Sequence, residues 1–144
     1  MIYVNSISHA VYSSIASDQT IVNSGISVDL NEPFNSDPNR TPWVGIYYGA
    51  TEITPRRVQS PQPWMANVSF HVFVQAHSFR DSATANDLLQ STVTAVMTAV
   101  NCDRNFSNTV LTTKSYSILP YERSIENEQW LFTDEIIIMT EVFA

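Results

Sequence analysis

One segment of the 144-residue chain alternates so regularly that it limits the possible folds. Across residues 64–79, apolar Val68, Phe70 and Val72 alternate with polar and aromatic residues such as Ser69. Successive strand residues face opposite sides of a sheet, so one face of this strand is apolar and the other is mixed. At about 3.3 Å per residue, the segment reaches roughly 50 Å if unbroken. We predict a long strand here, one that bends or forms a ribbon reaching beyond the core.

Two other segments follow the helical period instead. Residues 5–17 carry apolar side chains at spacings of three and four, and a longer stripe runs from Ala85 to Val100. Asp81 or Ser82 can cap the second helix by accepting a hydrogen bond from a backbone N–H group. The opposite face of that helix is rich in Ser, Thr, Asn and Gln, which is how a surface that meets another subunit would look.

Shorter strand patterns and proline-rich connections fill the rest. Further strands are expected at residues 20–30, as a weak strand or hairpin, and at 43–53, 110–119 and 129–143, with polar loops at 101–108 and 121–128. In the strand that begins at Trp43, Gly45 and Gly49 indicate a bulge or a close neighbour. The prolines of residues 31–42 predict a loop, and those of residues 54–64 predict a projecting arm.

This order of elements predicts an α+β fold. Parallel βαβ repetition is absent, so we expect one domain spanning residues 1–144, with a mainly antiparallel or mixed β-sheet. Two helices should pack on one face of the sheet, and residues 54–64 should form an extended loop or β-hairpin arm.

Charge and cysteine content exclude several classes of protein. The formal net charge is −7 and Lys114 is the single lysine, so the chain lacks the basic stripe that a nucleic-acid reader needs. It also lacks a lysine-rich helix for a membrane surface, and no apolar run is long enough to span a bilayer. One cysteine, Cys102, cannot form an intrachain disulfide, and the N-terminal residues do not resemble a signal peptide, so we expect a cytosolic chain.

The residues that could act in catalysis or metal binding are better explained by structural roles. Cys102 follows a helix C-terminus, where the helix dipole disfavours a thiolate, so pairing with His71 or His77 is not expected. The two histidines share a strand face but lie about 20 Å apart, too far to share a metal ion. Residues 103–108 resemble the start of a calcium loop but lack its glycine, which favours an ordinary turn. We expect no cofactor, no metal and no catalysis.

Asp134 and Glu135 interrupt the apolar closing strand. Adjacent strand residues point to opposite faces, so at least one of the two carboxylates turns toward the core or a covered edge. A strand end that lines a ring or lumen would explain this, as would an arginine from a neighbouring subunit.

The order of these elements resembles bacteriophage tail-terminator and tail-completion proteins. The resemblance covers roughly residues 43–143 and lies in element order and hydrophobicity; it is carried by the ranges 68–74, 87–89, 96–100 and 132–142, the last with its late Glu141. Such proteins are α/β subunits that assemble as hexameric rings on the end of the tail tube. The ring stops tube polymerisation and presents a surface to the head connector.

The resemblance implies a virion protein of the tail or neck, assembled in the host cytoplasm. Its partners would be copies of itself, the tube protein on one side and a head-completion or connector protein on the other, and DNA would pass through without specific binding. Our own expectations for the protein interface are Arg56, Arg57, Trp64, His71 and His77. Our expectations for acidic residues facing the lumen are Glu126, Glu128, Asp134 and Glu135.

Other functions stay open at this point. A head–tail joining or head-completion protein is also a small ring subunit. A different class is a small-ligand or peptide-binding α+β module, with a pocket between sheet and helices lined by Trp43, Tyr47 or Phe73. A hydrolase that uses the late carboxylates is a third hypothesis.

Overall fold

A five-stranded mixed sheet carries three helices on one face. The computed structural model describes residues 4–35, 40–54, 65–106, 108–126 and 128–143. The elements in chain order are α1 (Val4–Ala16), α2 (Gln19–Asn23), β1 (Ser27–Leu30), β2 (Trp43–Thr54), β3 (Met65–Ser78), α3 (Ser82–Cys102), β4 (Thr112–Glu126) and β5 (Gln129–Phe143). Within these ranges no helix has the length and apolarity needed to cross a membrane.

The strands lie side by side in the order β1-β2-β3-β5-β4. β1 runs parallel to β2, and the other neighbours are antiparallel. The expectation of a single α+β domain with a mixed sheet is confirmed, with three helices in place of two. The long alternating segment is β3, and every one of its residues pairs with β5. The proposed arm at residues 54–64 lies outside the described residues except for the end of β2.

The core lies between the sheet and the helices. The inner face, defined here as the face toward the helices, holds the apolar side chains of β3 and its neighbours, and α1 and α3 add their apolar stripes. Fully buried members include Val11, Ile15, Val44, Ile46, Val68, Phe70, Val72, Val74, Leu89, Val96, Val100, Ile136 and Ile138. The apolar periodicities of sequence therefore map directly onto this layer.

Residues 20–30 differ from expectation because a cap converts the first half into a helix. The Asp18 carboxylate accepts hydrogen bonds from the backbone N–H groups of Thr20, at 3.1 Å, and Ile21, at 3.3 Å, and starts α2. Ile21 is buried in the core, which anchors this short helix. The weak alternation therefore predicted a strand where α2 lies, and only β1 is a strand.

The predicted loop at residues 121–128 was also wrong. β4 continues through Pro120 to Glu126, and a register shift between Pro120 and Glu122 accommodates the proline, which has no N–H group to donate. Beyond the shift, Arg123 lies opposite Phe132 and the ladder with β5 resumes.

The two glycines of β2 have the close neighbours that the sequence indicated. A Cβ atom on Gly45 would lie 2.2 Å from Cη2 of Trp43, and one on Gly49 would lie 2.6 Å from Oγ of Ser69. A register shift between Tyr48 and Thr51 marks a bulge beside Gly49. Both glycines are therefore required by packing on the face of the sheet that points away from the helices.

Candidate protein-interaction surface

An aromatic cluster covers the outer face, defined here as the face of the sheet opposite the helices. Phe34 lies at its centre, with its ring centroid 4.8 Å from that of Phe73, 5.7 Å from Tyr121, 6.0 Å from Tyr47 and 6.2 Å from Trp43. All four contacts have edge-to-face geometry, which aromatic rings favour. Phe34 belongs to the loop between β1 and β2, so the described residues before it lead from β1 onto the outer face, where the aromatic side chain holds them.

One side of the aromatic cluster is fixed by hydrogen bonds to Asp29. The Trp43 indole Nε1–H donates to Oδ2 of Asp29 at 2.7 Å, and the Arg40 guanidinium approaches the same oxygen at 2.6 Å. Burial raises the pKa of Asp29, but the hydrogen bonds from Trp43 and Arg40 and the Arg40 charge outweigh it, so the pKa lies below its ordinary value. Asp29 is therefore held in its ionised form.

Tyr47 fixes the loop from the other direction. Its hydroxyl donates to the backbone carbonyl of Glu32. Burial raises the pKa of Tyr47, and the negative charges of Asp29 and Glu32 raise it further. Tyr47 therefore stays protonated and can serve as a hydrogen-bond donor to the loop.

The aromatic cluster does not form the pocket that a ligand-binding module would need. Trp43, Tyr47 and Phe73 point away from the helices, so they do not line the space between sheet and helices. Phe34 fills the space among them, and Trp43 is fully buried. The cluster is instead open at its surface, where Tyr121 is 53% exposed.

A polar group lies next to the aromatic cluster. His71 Nδ1 is 2.5 Å from Oε1 of Glu135, and the His71 ring stacks beside Phe73 with a centroid separation of 6.5 Å. Ser69 Oγ accepts a hydrogen bond from the Ala50 backbone N–H at 3.0 Å. The Ser69 hydroxyl, which would have to act as the nucleophile, is thus hydrogen-bonded to the backbone. The contacts of Ser69 and His71 fix the positions of these side chains on the outer face.

The two histidines proposed for the interface share the outer face, but they differ in access. The His71 side chain is about one-third exposed, whereas His77 is buried and its ring contacts the Gln129 amide. Across the described ranges, no three His, Cys, Asp or Glu residues lie close enough together to hold a metal ion. Of the two, His71 offers more surface to a partner.

The late acidic residues occupy different surfaces. Asp134 lies on the inner face, 5% exposed, with its carboxylate 2.8 Å from a guanidinium nitrogen of Arg123. That guanidinium also lies 5.0 Å from the ring centroid of Phe132. One of the two adjacent acids turns inward, as expected, and the arginine beside it belongs to the same chain rather than to a neighbouring one.

Asp134 and Glu135 therefore cannot line one surface together. Glu128 is exposed in the turn before β5 with a φ of 62°, while the side chain of Glu126 lies outside the described residues. The arm residues Arg56, Arg57 and Trp64 also lie outside them.

The edge strand β4 exposes apolar side chains on both sides of the sheet. Ile118 and Ile125 lie on the inner face beyond the helices, and Leu119 and Tyr121 lie on the outer face; each is about half exposed. Among the described residues β4 pairs with β5 alone, so its other edge has free backbone groups. Sequence reasoning missed this surface because it assigned Tyr121 and Ile125 to a loop: three consecutive polar residues separate them, and the register shift after Pro120 breaks the alternation.

The segment after α3 is a turn beside an open groove. Asp103 accepts a hydrogen bond from the Ser14 hydroxyl at 2.9 Å, and the Asn105 amide donates to the Asn108 side chain at 2.9 Å. The exposed Cys102 lines the same groove. The turn predicted here is confirmed at residues 103–106 and 108.

Comparison with known proteins gives distant structural similarity without a matching family. No protein-family model and no curated protein matches the chain. A chain in the solved structure described as "Virion of native gene transfer agent (GTA) particle" is similar, with 13% identity and a TM-score of 0.46 over 96% of this chain and 95% of that chain.

Proposed function

We propose that this protein is a structural subunit of a phage-like virion. Several copies, about six by resemblance to tail-terminator proteins, form a closed ring. The ring caps the tail tube, ends its polymerisation and joins the tail to the head connector. The observation that carries the proposal is the edge strand β4, which exposes apolar side chains on both sides of the sheet.

One short segment of this strand is apolar enough to be covered by another chain. Residues 118–121 read Ile-Leu-Pro-Tyr, and strands buried on both faces are nearly continuous in apolar residues, whereas solvated strands alternate. An exposed apolar edge in an isolated subunit also invites association with other chains. A further subunit that covers β4 would bury its exposed apolar side chains and pair its free backbone edge.

In a closed ring, the β4 edge of every subunit is covered by its neighbour in the same way. Head-to-tail contacts between identical chains close into a ring when the rotation per subunit is a simple fraction of a turn. Such a ring ends tube growth if one of its faces matches the last tube ring and the other does not accept another. Candidates for the tube and connector contacts are the aromatic cluster around Phe34 and the arm residues Arg56, Arg57 and Trp64.

Acidic residues would let DNA pass the ring without adhering. Arg123 offsets the charge of Asp134 on the inner face, whereas Glu135 lies on the outer face, where it contacts His71. Glu128, at the exposed turn between β4 and β5, is a better candidate for a lumen residue. With a net charge of −7, the subunit surface repels phosphate groups.

The proposal includes no catalytic step. Ser69 is held by the backbone of Ala50, and His71 is held by Glu135. A head–tail joining role uses the same kind of ring and differs only in the partner that each ring face binds.

The test is the mass of the purified chain by light scattering at several concentrations, alone and with a tail tube protein. A closed oligomer of about six chains, or one that appears on adding the tube protein, supports the proposal. The double variant I118S/I125S should weaken that oligomer. V22S, which changes an equally exposed apolar residue on α2, is the control and should not. A strict monomer that ignores the tube protein overturns the tail-terminator role.

Binding partners separate the two ring functions. A ring that binds a head-connector protein but no tube protein would instead be a head-completion ring.

A further inference from the structure

We infer that the ring closes by antiparallel strand pairing between β1 of one copy and residues 118–122 of β4 in the next copy. This inference rests on the ring proposed above and identifies its seam. β1 and β4 are the two outermost strands of the sheet, and each has one hydrogen-bonded neighbour among the described residues. Each therefore has backbone groups free to pair with another chain.

The two edges match in position along the sheet. Following the cross-strand pairs through β2, β3 and β5, the row that starts at Leu30 ends at Ile118, and the row that starts at Ser27 ends at Glu122. The four residues of β1 thus share their rows with the part of β4 that exposes Leu119 and Tyr121. The apolar edge of β4 lies at the level where the next copy's β1 would meet it.

The two edges also match in direction. β1 is parallel to β2, and each following strand reverses, so β4 runs opposite to β1 within one chain. A copy placed beside β4 by rotation about an axis roughly along the strands presents its β1 antiparallel to β4. The sheet then continues from one subunit to the next as an antiparallel ladder, which needs no connecting helix.

Side chains on the two edges are complementary. On the inner face, the seam brings Ile118 beside the Leu30 of the next copy. On the outer face, Arg40 is bound to Asp29 at the β1 edge and is half exposed, and its guanidinium has further donors to offer. Glu122 lies on the outer face of the β4 edge, two rows from Leu119. The seam therefore brings the Arg40 guanidinium of one copy to the Glu122 carboxylate of the next.

Within one chain this pair does not form, because the Arg40 guanidinium is held at Asp29 on β1. β1 and β4 are separated by four strand spacings, or roughly 19 Å. Any coupling measured between positions 40 and 122 must therefore come from two different copies. Pro120 has no N–H group, so it adds no donor to the seam.

The experiment uses the full chain and two charge reversals, R40E and E122R. Each reversal places like charges at every seam, so the chain concentration at half assembly should rise several-fold for each variant alone. When the two variants are mixed in equal amounts and alternate around the ring, opposite charges face each other at every seam. The two reversed side chains meet at one kind of seam, and the native Arg40 and Glu122 meet at the other. The mixture should therefore assemble at close to the wild-type concentration.

Matched controls test for a general charge effect. R80E and D87R change exposed residues near the start of α3, far from both edges, and should assemble as wild type. Circular dichroism checks that each variant is folded.

The outcomes separate the seam from the ring. If wild type forms a ring and either reversal assembles normally, or the mixture stays dissociated, the seam is wrong and the ring stands. Loss of assembly in E122R but not in R40E would indicate that β4 of one subunit pairs with β4 of another, and not with β1. A wild-type chain that stays monomeric with every partner removes the ring and the seam together.

Discussion

β3 and β4 are nearly equal in length, with 14 and 15 residues, and both pair with β5 along its length. Every described side chain of β3 is buried or half-buried, while β4 exposes apolar residues on both faces. The difference comes from neighbours: β3 has a strand on each side and helices above it, and β4 has one strand. Burial, and not strand composition, decides how much an apolar side chain contributes to the stability of the isolated chain.

The largest expected effect tests this contrast directly. F70A removes a fully buried ring from β3 and should lower the free energy of unfolding by about 3–5 kcal/mol. I118A on β4 should change it by less than about 0.5 kcal/mol, because the side chain is half exposed in the monomer. Urea unfolding at concentrations where the chain is monomeric measures both. Similar losses in the two variants would mean that β4 is already covered within one chain.

The same contrast explains what sequence could predict. β3 and α3 carry regular periodicities because each is buried along one whole face, and both were located within about two residues. β4 lost its signal at Pro120, and the polar residues that follow the proline look like a loop because they lie on an edge strand that is largely exposed. Residues 20–30 were misread because the Asp18 cap outweighs weak alternation.

The candidate surface was harder to predict than the fold. Phe34 lies in a loop, and only the folded chain brings it against Phe73 and Tyr121. The pairing of Asp134 with Arg123 depends on a register that the proline shifts, so spacing along the chain could not show it.

The next effect concerns the ion pair that ties β4 to β5. D134A leaves Arg123 without its carboxylate partner on the inner face. Because Asp134 is buried but Arg123 is one-third exposed, we expect a loss of about 1–3 kcal/mol, below the value for a fully buried pair. E122A, which removes the carboxylate of a neighbouring β4 residue, is the control. An equal loss in D134A and E122A under monomeric conditions would assign no special role to the pair.

A smaller effect is expected for Phe34, whose ring, in the loop between β1 and β2, contacts Phe73 on β3 and Tyr121 on β4. F34A removes four aromatic contacts, but the ring is partly exposed, so the loss should be about 1–2 kcal/mol. F79A changes a more exposed phenylalanine and should cost less than about 0.5 kcal/mol. Near-ultraviolet circular dichroism should also weaken in F34A, since the neighbouring tyrosines lose their fixed packing. An unchanged spectrum and midpoint would show that Phe34 does not hold the loop on the sheet.

The smallest effect is the pH dependence contributed by Asp29 at the β1 edge. Burial raises the pKa of this carboxyl, but Trp43 and Arg40 lower it more, so the folded pKa lies below the ordinary value of 3.8. The folded state therefore favours the ionised carboxylate. The stabilisation that this gives is fully present above pH 3.8 and is lost as the pH falls through the lower folded pKa. D29N lacks this contribution at every pH. Between about pH 6 and about pH 2.5, the free energy of unfolding should fall more steeply for wild type than for D29N, and the two curves should converge in acid. Curves that stay parallel would show that Trp43 and Arg40 do not hold Asp29 ionised, and Arg40 would then be unrestrained at the edge where the seam requires it to be fixed.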